Sequence, residues 1–250
     1  MIKMIKYFLQ SIFVYFFFII GRIIGLNLSR KLFSNLFSII APIFKSKKII
    51  KKNLKIFNKD ISKDEEDTII SNVWKNYGKT FIEYVFLDIF RIESSHIKIY
   101  GKENLDRIKR SKKPVVFISG HFSNFELMSM EITKNEIKLA TIYRPLNNYF
   151  LNPFMEYLRK KYICKYQIKK GIKGVREAIE FIKKDYSIAL MIDQRVSEGE
   201  KVDFFNQPAL TTTLPAQLSI KFNLSIVPVF IERDKNKFII KFHDEIRPSD

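Results

Sequence analysis

Between Tyr7 and Ser29 the one charged side chain is Arg22, and the run is crowded with Phe13, Phe16, Phe17, Phe18, Ile19, Ile20, Ile23 and Ile24. As a helix rising ~1.5 Å per residue it would be about 34 Å long, enough to cross a hydrocarbon core of roughly 30 Å. Arg22 lies near enough to the far end to snorkel. No small-x-small cleavage site follows, which argues against a removable signal. The pattern predicts a membrane anchor, spanning or deeply interfacial. Leu32 to Phe44 is a second apolar segment, interrupted by Ser34, Asn35 and Ser38 and broken at Pro42, and reads as an amphipathic helix. Lys45, Lys47, Lys48, Lys51, Lys52, Lys55 and Lys59 then alternate with Ile49, Ile50, Leu54, Ile56 and Phe57. Such a basic amphipathic helix either rests on an anionic leaflet or turns a solvated face to water. Asp64 to Asp67 opens a helical stretch to about Phe90, the acids suiting its N-terminal dipole. Its stripe of Trp74, Tyr77, Phe81 and Tyr84 is core or membrane-facing packing.

From His96 the period changes. Short apolar runs at Ile97–Tyr100, Pro114–Ser119, Lys138–Tyr143, Ser187–Ile192, Ser225–Ile231 and Phe238–Phe242 read as strands. Helical patterns fall between most of them, at Ser123–Thr133, Tyr149–Tyr162, Val175–Lys184 and Leu214–Phe222. Strands alternating with helices predict an α/β fold: a central, largely parallel sheet flanked by helices, behind an N-terminal membrane-anchoring helical region. The division expected is an anchor and amphipathic segment over 1–44 and a main domain over 45–250.

Chemistry gathers where strands end. Gly120 closes the run Pro114–Ser119, and His121, Ser123, Asn124 and Glu126 follow. An imidazole can take and return a proton near neutral pH, and a carboxylate on its other ring nitrogen would fix the tautomer. Glu126 is a candidate for that carboxylate. Equally, Ser123-x-x-Glu126 is a capping box opening a helix, and both readings stay open here. Arg144 directly follows another strand, and Asp193 and Gln194 follow a third. Ligands of open α/β sheets bind beyond the carboxyl ends of parallel strands, so a base, a cation and an acid could share one site. Strand ends also carry polar residues merely because loops are wet.

The net charge of +18, from 44 basic and 26 acidic residues, points to an anionic partner. The cations cluster beside the anchor and no nucleic-acid reader motif occurs, so a membrane surface or an acidic protein fits better than nucleic acid. One cysteine, Cys164, excludes an internal disulfide, and the three histidines are too scattered for a metal site. A Gly-x-Ser-x-Gly elbow, a P-loop, a dinucleotide fingerprint and a zinc helix are all missing from the sequence. Gly171-Ile-Lys-Gly174 ahead of a helix is a weak phosphate-binding signal.

These residues together resemble the late (lauroyl/myristoyl) acyltransferases of bacterial lipid A synthesis, within the His-x4-Asp/Glu glycerolipid acyltransferase-like group. The likeness runs through the apolar anchor, Asn53-Leu54, Gly120-His121 to Glu126, Tyr143-Arg144-Pro145, Arg159, Asp193-Gln194, Phe204-Phe205, Pro208-Ala209 and Thr211. It implies acyl transfer from acyl carrier protein to a hydroxyl of a lipid A precursor, on the cytoplasmic face of the inner membrane. His121 would be the general base and Glu126 its partner; Arg144, Arg159, Asp193 and Gln194 would bind substrate or support activity. Acyl carrier protein and an anionic lipid are the implied partners, with no cofactor beyond the carrier's thioester. The family usually continues past Asp250, so the C-terminal part is expected to be incomplete. A lysophospholipid or another glycolipid acceptor keeps the same chemistry, and a non-catalytic basic membrane-binding protein is the reading from another class.

Overall fold

The computed structural model describes residues 2–44, 48–194, 196 and 199–248. Lys45 and Lys47 of the basic stretch, Arg195, and the chain end at Ser249 and Asp250 lie outside these described residues. The chain forms two compact units: Leu9–Phe86 with Asp203–Gln207, and Met1–Phe8 with Leu87–Val202 and Pro208–Asp250. The helical unit thus runs well past the boundary at 44 expected from sequence, taking in the basic helix and the long helix after it.

In the helical unit the apolar run becomes two helices, α1 (Ile2–Ile24) and α2 (Leu26–Phe44). The break falls at Gly25, whose φ of 81° suits a residue without a Cβ. α1 turns one apolar stripe outward, with Ile12, Phe16, Ile19 and Ile23 exposed, while Ser11, Phe18 and Gly21 are buried on its other side. α2 continues through Pro42 rather than breaking there. The basic helix α3 (Lys48–Phe57) follows, then α4 (Lys63–Glu83). α4 starts where Ser62 Oγ accepts the backbone N–H of Glu65, and Asp64, Glu65 and Glu66 occupy its first turn. Phe81 meets the rings of Phe18, Phe37 and Phe33 at 5.0, 5.3 and 5.8 Å. Arg30 and Glu83, both buried, pair at 2.6 Å between α2 and α4. At Gly78 the helices approach backbone to backbone: a Cβ there would stand 2.2 Å from Phe33 O. Gly78→Ala should force α2 and α4 apart and cost about 1–3 kcal/mol, read as a lower thermal midpoint.

The α/β unit holds a seven-stranded sheet in the order β1-β9-β8-β2-β5-β3-β4. Its strands are β1 (Ile97–Tyr100), β2 (Val116–Ser119), β3 (Leu139–Tyr143), β4 (Tyr166–Lys169), β5 (Ser187–Met191), β8 (Ile226–Asp234) and β9 (Lys237–Phe242). β8, β2, β5, β3 and β4 run parallel to one another, and β9 is antiparallel to β8. Six of these strands match the sequence reading. The seventh, β4, sits at the edge with only Ile168 buried, so its four residues show too little pattern to read. β6 (Glu200–Phe204) and β7 (Gln207–Thr211) form a separate two-stranded hairpin.

Helix α5 (Leu87–Ile92) leads into β1, and α6 (Lys102–Ser111), α7 (Glu126–Lys134), α8 (Asn152–Leu158), α9 (Ile172–Ile182) and α10 (Leu214–Phe222) connect the strands. β2 and β5 are central and apolar on both sides, with Val116, Phe117, Ile188 and Ala189 almost wholly buried, as expected of parallel strands covered by helices. α6 begins at Gly101, whose φ is 70° and whose missing Cβ would stand 1.9 Å from Phe242 O, so no other residue fits beside β9. The first turns of α1 also belong here: buried Asn148 donates to Tyr7 O at 2.8 Å, and Tyr149 and Phe150 meet Tyr7 and Phe8 edge to face.

Candidate active site

Strand register explains the centre of the site. In the β2–β5 ladder Ser119 pairs with Met191, and Ile192 N–H still donates to Ser119 O at 2.9 Å. His121 and Asp193 each lie two residues beyond that last pair, so both leave the sheet at the same edge. There His121 Nδ1 faces Asp193 Oδ1 at 2.7 Å, and the backbone N–H of His121 donates to Asp193 Oδ2 at 2.8 Å. The carboxylate holds both the ring and the main chain of one residue. Partial burial raises the Asp193 carboxyl pKa, but the hydrogen bonds from His121 outweigh it and leave that pKa below its usual value.

Phe125 meets the imidazole edge to face at 4.6 Å, and Gln194 Nε2 stands 3.4 Å from His121 Nε2. With Nδ1–H given to Asp193, Nε2 carries a lone pair facing the Gln194 amide, the tautomer a general base requires. The ring is one-third exposed, so a substrate can reach it.

Glu126 occupies a different place from either expected. The carboxylate on the histidine ring is Asp193, not Glu126. Glu126 pairs with Arg159, its Oε1 standing 2.8 Å from Nε and 2.6 Å from Nη2, with both side chains largely buried. A permanently charged guanidinium in a dry setting draws a carboxylate more strongly than an imidazole does. Nor is Ser123 the N-cap that a capping box would make it. α7 starts at Glu126 itself, with no side-chain cap, and Ser123 takes a left-handed φ of 49° in the preceding loop.

Arg159 is placed by a feature that sequence does not reveal. α8 ends at Leu158, and Arg159–Ile163 form a single π-helical turn, a local widening often found at functional sites. The guanidinium lies 5.6 Å from the centre of the Tyr143 ring. Tyr143 OH donates to Glu156 Oε1, and Asn152 Nδ2 donates to the same carboxylate at 2.9 Å. Burial and the Glu156 carboxylate push the Tyr143 phenol pKa up, while the Tyr143 hydrogen bond leads in lowering that of Glu156. Asn152 Oδ1 in turn accepts the N–H of Leu146 at 2.8 Å. Glu156 and Asn152 therefore pin both ends of the Tyr143-Arg144-Pro145-Leu146 corner. Neither was expected from sequence; a helix carrying Asn and Glu four residues apart was the available signal.

Arg144 follows β3, which lies beside β5. It is exposed, and among the described residues it makes no hydrogen bond or ion pair. The three strand ends singled out from sequence thus lie side by side, on β2, β5 and β3. Two cavities of about 330 and 420 Å³ open near Ile137 and Lys138, at the start of β3, and include none of these residues. Convergent polar chemistry, rather than cavity size, marks the site.

A family model described as bacterial lipid A biosynthesis acyltransferase matches residues 1–250. The chain belongs to that family. Membership makes it an acyltransferase of lipid metabolism. No curated protein gives a significant match. Among solved structures, the 1-acyl-sn-glycerophosphate (LPA) acyltransferase PlsC from Thermotoga maritima is similar, at 16% identity, 87% coverage of each chain and a TM-score of 0.38.

Proposed function

We propose that this family member moves a fatty acyl chain from acyl carrier protein to a hydroxyl of a lipid A precursor, at the cytoplasmic face of the inner membrane. The observation that carries the mechanism is the partly exposed imidazole held by Asp193, with its Nε2 facing the Gln194 amide. The acceptor hydroxyl displaces the Gln194 amide from Nε2 and gives up its proton there as its oxygen attacks the thioester carbonyl. A C–O bond forms, the tetrahedral intermediate collapses with cleavage of the C–S bond, and the imidazolium returns the proton to the departing thiolate. Asp193 stabilises the imidazolium while it lasts. Arg144 offers a planar, unengaged fork to a phosphate of the acceptor. Arg159, engaged with Glu126, supports the corner that presents Arg144.

The outward apolar stripe of α1 supports membrane attachment, because a soluble chain seldom leaves so long a hydrophobic face in water. The +18 charge suits an anionic leaflet and an acidic carrier protein alike.

The test is incubation of the full chain in membranes with acyl carrier protein thioesters and lipid A precursors, followed by mass analysis of the lipids. A precursor heavier by one acyl group is expected. Acyl transfer to a lysophospholipid alone would overturn the acceptor, and transfer only from coenzyme A would overturn the donor. Arg144→Ala should raise KM for a phosphorylated acceptor about 10- to 100-fold with little change in kcat, as expected when one charge-assisted phosphate contact of roughly 1.5–3 kcal/mol is lost.

A further inference from the structure

The β6–β7 hairpin presents an oddity at its tip. All of Glu200–Phe204 is exposed, as are Phe205, Asn206, Gln207 and Pro208, so the outer hairpin has no hydrophobic core beneath it. Two-stranded hairpins without such cover are marginal in water. The turn itself is costly: Phe205 and Asn206 take φ of 51° and 56°, the left-handed pair of a tight hairpin turn that Asn-Gly suits best. A bulky phenyl residue in that region is strained, and strain kept in place points to a use.

The tip also gathers exposed aromatic rings. Phe204 and Phe205 are 65% and 50% exposed and meet edge to face at 4.6 Å. Phe205 touches Phe57 of α3 at 5.4 Å, and Phe57 is 67% exposed. Ile49 is exposed farther along α3, as are Lys52 and Lys55. Asp203 is the acid nearest the tip in sequence. Exposed rings that touch a basic amphipathic helix match the boundary of an anionic bilayer, where aromatics lodge at the headgroup level and cations meet lipid phosphates. An acidic protein would use the lysines and leave three phenyl rings in water. A bilayer uses both.

We infer that the β6–β7 tip and α3 form a membrane-docking patch, with Phe204 and Phe205 inserted at the headgroup–acyl boundary of an anionic leaflet. The inference rests on the membrane reading above and adds to α1 a second point of attachment. Phe204→Cys in the full chain, labelled with an environment-sensitive dye, tests it, since the one native cysteine, Cys164, is 2% exposed and escapes labelling.

With vesicles of phosphatidylcholine and phosphatidylglycerol, the dye emission should shift to the blue and be quenched by shallow spin-labelled lipid. Binding should weaken about fivefold for each of Lys52→Ser and Lys55→Ser. The double change Phe204→Ser, Phe205→Asn suits the turn better in water, so weaker binding by that variant reports lost insertion rather than a lost hairpin. Binding of the chain with unchanged dye emission overturns the patch and leaves the α1 attachment standing. Failure to bind any vesicle overturns both. A blue shift that appears on raising protein concentration without vesicles makes the patch a self-association surface and also overturns the inference.

Discussion

His121→Ala should lower acyl transfer about 10²- to 10⁴-fold, the usual worth of a positioned general base. The thermal midpoint hardly moves, because a partly exposed ring leaves no core cavity behind. Asp193→Asn should bring a loss of similar order for a different reason. The amide can donate to Nδ1, which drives the ring proton onto Nε2, where the acceptor hydroxyl must be received. Both variants should still bind membranes, so a flotation assay run beside the transfer assay separates chemistry from attachment. A non-catalytic basic binding protein would show no change in either. Asp193 also has a signature in stability. Its folded pKa is depressed, so its contribution is present above the ordinary carboxylate pKa of about 3.9 and is lost as pH falls through the folded value. The pH dependence of unfolding below about pH 4 should therefore be flatter in Asp193→Asn.

Glu126→Gln has the opposite profile. It leaves the Arg159 guanidinium buried beside an amide, and breaking a buried pair this way costs about 3–5 kcal/mol. For a chain of this size that is a fall of about 6–20 °C in thermal midpoint. Below the variant's own midpoint, transfer should remain well above that of His121→Ala, since the histidine and its carboxylate are intact. The double change Glu126→Leu, Arg159→Met should recover much of the stability, as apolar replacements of buried ion pairs often do. If Glu126→Gln instead matched His121→Ala in rate while keeping the parent midpoint, Glu126 rather than Asp193 would be the working acid. Circular dichroism melting and the acyl-transfer assay together decide.

The sheet was legible because its central strands are buried on both faces and read as continuous β-branched runs ended by Gly or by a polar residue. β4 was not, since an edge strand with one buried side chain leaves almost no period. The hairpin was hidden for the same reason: with no buried side it reads as a loop. Choosing the candidate residues needed only composition at strand ends, and His121, Asp193, Gln194 and Arg144 do lie on neighbouring strands. Pairing them needed strand order. Glu126 is five residues from His121 in sequence and Asp193 is seventy-two, yet the β2–β5 register brings the distant one to the ring. The π turn that aims Arg159 had no signature at all in Arg159-Lys-Lys-Tyr-Ile163, because widening one helical turn depends on what packs around it.

That register also governs which length changes the two loops can absorb. Side chains alternate across a strand, so removing one residue between Met191 and Asp193 would swing the carboxylate to the sheet's opposite face while leaving the strand pairing whole. Drift in this region is then confined to outward swelling beyond Gln194 or past Phe122, with the two-residue exits themselves held at fixed length.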